Sequence, residues 1–398
     1  MKRLIGKVKI FFGFMLIVWI SMVAVSCEKG DEPVNPPVPD FTDQTLLMYL
    51  PWATDLSPFF ETNISDMEKA IRQGILKQER VLVFLSTSPR EATLFELVSE
   101  DGKSRRNTLK KYTNPPFTTA EGITSILNDA KYFAPANRYA MAIGCHGMGW
   151  IPVTDRSARA ALLLRSPKDQ SIPVTRFFGG LTPDYQTDIT TLAEGISNAG
   201  IKMEYILFDD CYMSSVEVAY DLRKVTNYLI GCASEIMAYG MPYEMIGKHL
   251  VGKVDYKGIC DGFYQFYTAF RMPYGNIAVT DCSQLDALAQ IMKEINGRYT
   301  FNSGQSDDLQ RLDGYTPVLF FDYGDYVSKL CDDPVLQERF QKQLERTVPY
   351  KSYTDYYYSA INDRIMKVDT FSGLTISDPS TSSYASKKRE TNWFKATH

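Results

Sequence analysis

At 398 residues, with 44% hydrophobic and 13% aromatic content, the chain can fill a substantial core and is too long for one minimal domain. Its formal net charge of −4 understates the acidity of the rest, because the first 26 residues hold Lys2, Arg3, Lys7 and Lys9 and no acid. No basic stripe remains beyond that leader, which argues against a nucleic-acid partner.

The leader reads as a targeting segment. "MKRLIGKVK" is a basic start, and "IFFGFMLIVWISMVAV" is an apolar run of export length. "AVSC" fits a bacterial lipoprotein cleavage box loosely, with Ala24 where Leu is commoner. This predicts a signal peptide over 1–26, lipidation at Cys27 and a flexible tether over 27–43, since "CEKGDEPVNPPVPD" is acidic, Pro-rich and unable to bury a core. An uncleaved membrane anchor is the alternative. The acids that follow Cys27 resemble the surface-export signal of Bacteroidetes lipoproteins, which implies an outer-membrane lipid anchor facing the cell exterior.

Beyond the tether, strands and helices alternate. "TLLMYLPWA" (45–53) is a buried strand, and "ISDMEKAIRQGIL" (64–76) carries Ile64, Met67, Ala70, Ile71 and Ile75 at helical spacing, with Ser65 or Asp66 as cap. "RVLVFLST" (80–87) is a second buried strand with "ATLFELV" (92–98) as hairpin partner, and residues 118–133 form a Thr-capped helix. The strand "RYAMAIGCHG" follows, then a long polar segment over 151–188. After it come the helix "DITTLAEGISNAG", the strand "YILFDDC", the helix "SSVEVAYDLRKV" and the strand "YLIGCASE". Apolar strands separated by amphipathic helices predict an α/β fold, a mainly parallel sheet covered by helices on both faces. From 245 onward the chain turns more helical, and 245–398 is a possible C-terminal subdomain of a domain spanning 44–398.

In such a sheet, ligands bind beyond the carboxyl ends of the strands. "YAMAIG" ends there on His146, and "YILF" ends on Asp209, Asp210 and Cys211. A thiol is nucleophilic as thiolate, and an imidazole within reach raises that fraction. The chain has only three histidines: His398 is its last residue, and His249 sits on an amphipathic helix. A metal site from Cys145, His146 and Cys211 is disfavoured, because adjacent strand residues face opposite ways. The other cysteines form no CxxC pair and read as small buried residues.

A hydrophobic block, His-Gly, a spacer, then a second hydrophobic block and Cys is similar to the caspase-like cysteine peptidases. Within that group the chain resembles the clostripain family through "LLMYLPWATDLSPF", "GCHGMGW", "DDCYMSSVEVAYDLR", "CASEIMAYGMPY" and "NWFKAT". The resemblance implies a caspase-like sandwich and a cysteine endopeptidase with Cys211 as nucleophile and His146 as general base and acid. The amides of Gly147 and Cys211 would form the oxyanion hole. It implies Asp209, with Glu235 as a candidate second acid, in a pocket for Arg or Lys before the scissile bond. No third carboxylate is required, and no cofactor is needed for the chemistry, though calcium activates some relatives. Peptides or proteins are the implied substrates. Family members are often cut between the two strands, where Arg156, Arg159, Arg165, Lys168 and Arg176 are basic positions.

Asp210 departs from the family's usual Ala and sets a second negative charge beside the thiol, while Met237, Met241 and Pro242 make the pocket region more apolar. These departures motivate the alternative of a catalytically weak or inactive surface binding lipoprotein that keeps the fold.

Overall fold

The structure, a computed structural model, describes residues 41–153, 179–180 and 183–398. The leader, Cys27, most of the tether and the basic positions Arg156 to Arg176 lie outside these residues. Among the described residues no helix is long and apolar enough to cross a membrane.

Nine strands form one sheet: β1 (Thr42–Leu50), β2 (Glu79–Ser88), β3 (Glu91–Glu100), β4 (Lys103–Thr113), β5 (Ala136–Gly144), β6 (Met203–Asp209), β7 (Thr226–Gly231), β8 (Asn276–Asp281) and, after a two-residue β9 (Phe321–Asp322) outside it, β10 (Tyr350–Tyr353). Their order is β10-β8-β7-β6-β5-β1-β2-β3-β4. The five central strands, β7-β6-β5-β1-β2, run parallel. Both flanks are antiparallel. The central strands read as unbroken apolar runs because helices cover them: from Thr45 to Leu50 every residue of β1 is buried.

The helices flanking the sheet pack closely where small residues allow it. Helix Ala120–Phe133 meets helix Ile189–Asn198 at Gly195, where a Cβ would stand 2.8 Å from Ile123. Helix Ser57–Arg72 meets helix Tyr243–Leu250 at Gly247, where a Cβ would stand 2.8 Å from Ala70.

Three local expectations need correction. The first helix begins at Ser57, two turns before 64, so Ser65 and Asp66 lie inside it and do not cap it. Pro58 at its first positions has a preset φ and needs no amide, so a stretch that reads as loop opens a helix. The polar stretch after the β2–β3 hairpin is a strand, β4, whose exposed charged residues suit an edge. The helix after Cys211 spans only Val216–Leu222, with Ser215 Oγ accepting from the Val218 amide as its cap. In the C-terminal half, β8 and β10 join the main sheet, β13 (Thr375–Ile376) pairs with β9, and a hairpin forms from β11 (Tyr356–Ser359) and β12 (Arg364–Lys367).

Candidate active site

β5 and β6 are neighbours, paired in parallel with Gly144 opposite Asp209. His146 lies two residues beyond Gly144 and Cys211 two residues beyond Asp209, so the two stand at equivalent register on adjacent strand ends. The next residue closes the gap: a Cβ on Gly147 would fall 2.2 Å from the Cys211 carbonyl oxygen and 2.8 Å from its nitrogen. Only glycine permits that approach. His146 and Cys211 are both fully buried, at 1% and 0% exposure.

Cys211 is held at a sharp turn. Tyr212 takes φ 60°, left-handed backbone that costs a side-chain-bearing residue about 1 kcal/mol. Its ring stacks on Phe320 at 5.0 Å, and its amide donates to the Ser234 carbonyl at 3.1 Å. Gly149, at φ 58°, completes the packing, with Phe320 and the Tyr212 carbonyl 3.1 Å from where its Cβ would be. The glycines of "GCHGMGW" therefore serve the turn on the neighbouring strand as much as their own.

The Ile236 amide donates to the Cys211 Sγ at 3.3 Å, and the thiol also reaches the Ile236 carbonyl at 3.8 Å. Amide donation favours the anionic sulfur. The helix that follows begins only at Val216, so the turn 212–215 separates it from Cys211 and the Ile236 amide is a donor at the sulfur. All six cysteines among the described residues are buried, and burial pushes Cys260 and Cys282 up to about 12.

Each acid near the thiol has a main-chain partner. Asp209 Oδ1 accepts from the Met241 amide at 2.8 Å, and Glu235 Oε1 from the Ala360 amide at 3.1 Å. Asp210 reaches across to β5: Oδ1 accepts from the Cys145 amide at 2.6 Å, and Oδ2 lies 3.5 Å from the Cys145 thiol. The departure from the family's Ala thus ties the two strand ends together. Asp209, Cys211 and Tyr212 all bond the segment 234–241, which wraps the end of β6.

One residue escaped the sequence reading. Asp55 Oδ1 lies 2.9 Å from His146 Nε2, across 91 positions. As for calcium, among the described residues no three His, Cys, Asp or Glu side chains gather as a cation site. The chemistry below passes through no metal.

Behind the turn, "MSSVEVAY" meets the C-terminal strand. Ser214 Oγ donates to the Gly373 carbonyl at 2.8 Å, and its own carbonyl accepts from the Thr375 amide at 3.0 Å. Glu217 Oε1 accepts from the Ser377 amide at 2.8 Å, and Ser377 Oγ accepts from Trp150 Nε1 at 2.9 Å. Burial first, and Asp378 second, push Glu217 up to about 8.

A mostly parallel helix-flanked sheet whose adjacent strand ends meet on His-Gly and Cys defines the caspase-like class of cysteine peptidase. The clostripain family model matches residues 49–375, and the chain belongs to that family of cysteine proteases. Among solved structures, a secreted C11 cysteine protease from Bacteroides thetaiotaomicron, "iotapain", is 61% identical, with a TM-score of 0.85 over 90% of this chain and 100% of its own. A clostripain from B. thetaiotaomicron ATCC 29148, in complex with the peptide inhibitor BTN-VLTK-AOMK, is 68% identical over 56% of this chain and 99% of its own, with a TM-score of 0.55. An inactive zymogen C11 protease from Parabacteroides distasonis is 25% identical, with a TM-score of 0.75 over 91% of this chain and 99% of its own. Among curated proteins nothing matches.

Proposed function

We propose that this cysteine protease cleaves peptide bonds through a Cys211–His146 dyad, after Arg or Lys, at the cell surface. The observation that carries the dyad is the register equivalence of the two residues on paired strands, sealed by the contact of Gly147 with the backbone of Cys211.

In the first step Cys211 Sγ attacks the scissile carbonyl carbon, and its proton resides on His146. Charge developing on the carbonyl oxygen is met by the amides of Gly147 and Cys211. As the C–N bond breaks, His146 passes its proton to the departing amine, leaving a thioester on Cys211. His146 then takes a proton from water, whose oxygen attacks the thioester and frees the carboxylate product and the thiol. Ile236, whose amide already donates to Sγ, favours the thiolate that starts the cycle.

Asp209 and Glu235 are the proposed recognition groups for a basic side chain. Asp209 is fixed by the Met241 amide beside the thiol, so its charge is delivered by a rigid strand end. The related clostripain was solved with an inhibitor whose amino-acid letters, VLTK, end in lysine. The buried state of both dyad residues fits a form that must open before substrate enters. Processing at one of Arg156, Arg159, Arg165, Lys168 or Arg176 is proposed, in keeping with the relative described as an inactive zymogen. The lipid anchor at Cys27 and outer-membrane location rest on the leader, and the similar Bacteroides protease is described as secreted. Calcium as an activator rests on the family resemblance alone.

The test compares wild type, Cys211→Ala and Asp209→Asn on fluorogenic peptides ending in Arg, Lys or Leu. Cys211→Ala should lose activity by 10³-fold or more, on the order seen when a nucleophile is deleted. Asp209→Asn should lose about 10–100-fold on Arg and Lys and little on Leu. Equal turnover by wild type and Cys211→Ala would end the assignment.

A further inference from the structure

We propose that Asp55 is the positioning residue for His146, holding the imidazole in the tautomer and orientation that the dyad needs; this rests on the reading of His146 and Cys211 as the reacting pair. The parallel strands β1, β5 and β6 are consecutive in the sheet, and each delivers one group past its carboxyl end: Asp55, His146 and Cys211. Tyr49 on β1 pairs with Ile143 on β5, as Gly144 on β5 pairs with Asp209 on β6. Acid, imidazole and thiol therefore stand side by side in space, although the chain supplies them in widely separated stretches.

Asp55 is not on a loose loop. It sits in the 3-10 turn Thr54–Leu56, between Ala53 and Leu56, both completely buried, and the Leu56 amide donates to the Ala53 carbonyl at 3.2 Å. The two buried neighbours anchor its backbone, and Oδ1 lies 2.9 Å from Nε2. A carboxylate carries no proton to give at that distance, so the neutral imidazole must hold its hydrogen on Nε2. That leaves Nδ1 as the basic nitrogen for the thiol proton. The ring itself is buried while Asp55 is 43% exposed, so the pair works through orientation more than through Coulomb energy.

The other acids at this rim are committed differently. Asp210 bonds the Cys145 amide, and Asp209 bonds the Met241 amide. The titratable groups that neighbouring elements bring to the ends of β5 and β6 include Tyr49, Asp55, Cys145, Asp209, Asp210, Cys211 and Glu235. Asp55 Oδ1, by contrast, lies at hydrogen-bond distance from the imidazole Nε2.

The experiment measures kcat and KM against pH for the full chain, its Asp55→Ala variant and its Asp55→Asn variant, with active sites counted by a thiol-directed peptidyl inhibitor. Asp55→Ala should lower kcat about 10–100-fold with KM within about threefold, as expected when a base loses its orienting partner. A carboxylate beside the ring favours imidazolium, so removing it should move the alkaline limb of kcat to lower pH. Asp55→Asn, which can still accept the Nε2 hydrogen, should recover part of the rate but keep the shifted limb. An Asp55→Ala enzyme with unchanged kcat and pH profile overturns the inference and leaves the dyad standing. Equal losses in both variants with a lowered melting temperature and an unmoved limb also overturn it, as a merely structural role. A wild type that neither turns over peptide nor labels at Cys211 overturns the dyad and this inference together.

Discussion

The two ends of strands β1, β5 and β6 treat charge in opposite ways. At the amino ends, Arg138 of β5 bridges acids of both neighbours: Nη1 lies 2.6 Å from Glu204 of β6 and Nη2 lies 2.6 Å from Asp43 of β1. Gln44 joins them, donating to Glu204 at 3.0 Å and accepting from the Gly252 amide at 2.8 Å. A cation answers anions there, partly in water. At the carboxyl ends, Asp209, Asp210 and Glu235 are buried and bonded to main-chain amides, and an imidazole takes the place of the guanidinium. Amides can stabilise a carboxylate without neutralising it, which supports the proposed role of Asp209 and Glu235 in receiving a basic side chain. One end knits the strands together, and the other end is equipped for chemistry.

Breaking each end should therefore give different losses. Arg138→Met leaves Glu204 and Asp43 without their cation and should cost about 2–3 kcal/mol of stability, because stranding a partly buried anion is expensive. Chemical denaturation measures that loss, and kcat per labelled site should stay within about twofold. A fall in kcat without a fall in stability would erase the distinction between the ends.

A subtler loss concerns Glu217, the buried acid behind the Cys211 turn. Its Oε2 has no hydrogen-bond partner among the described residues, and its pKa rises from the ordinary 4.5 to about 8. The folded state thus holds a proton that the unfolded chain releases, and stability should fall as pH climbs from about 5 to 8. Asp378, raised to about 6 by burial, adds to the lower part of that window. Between pH 6 and 8, Glu217→Gln should flatten the dependence by roughly 1 kcal/mol per pH unit, since Gln still accepts from the Ser377 amide. Melting curves at several pH values read this out. A wild-type melting temperature flat over that range would mean that the acid is relieved in another way.

Much of this arrangement was legible in the residues, and the boundary of legibility has a physical basis. The parallel core could be read because strands covered on both faces are unbroken apolar runs, and "YAMAIG" and "YILF" end abruptly on polar residues. His146 stood out because the chain has only three histidines. Asp55 did not, being one of 47 acids and joined to His146 by a contact spanning 91 positions. The Ile236 amide was hidden for a similar reason: a backbone group has no residue identity, and its approach depends on how the chain returns from β7. β8 and β10 were missed because short strands at an antiparallel flank carry little periodicity of their own. The first helix was begun too late because Pro58 reads equally as loop or as the opening of a helix.

The central claim is that His146 activates Cys211, and the rate of thiol alkylation against pH tests it most directly. Mass spectrometry would follow Cys211 in wild type and in His146→Ala, each confirmed as folded. The account predicts that wild-type Cys211 reacts well below about pH 8.5, where an ordinary thiol is half ionised. In His146→Ala the profile should move upward toward or beyond that value. Superimposable profiles in the two proteins would contradict the account.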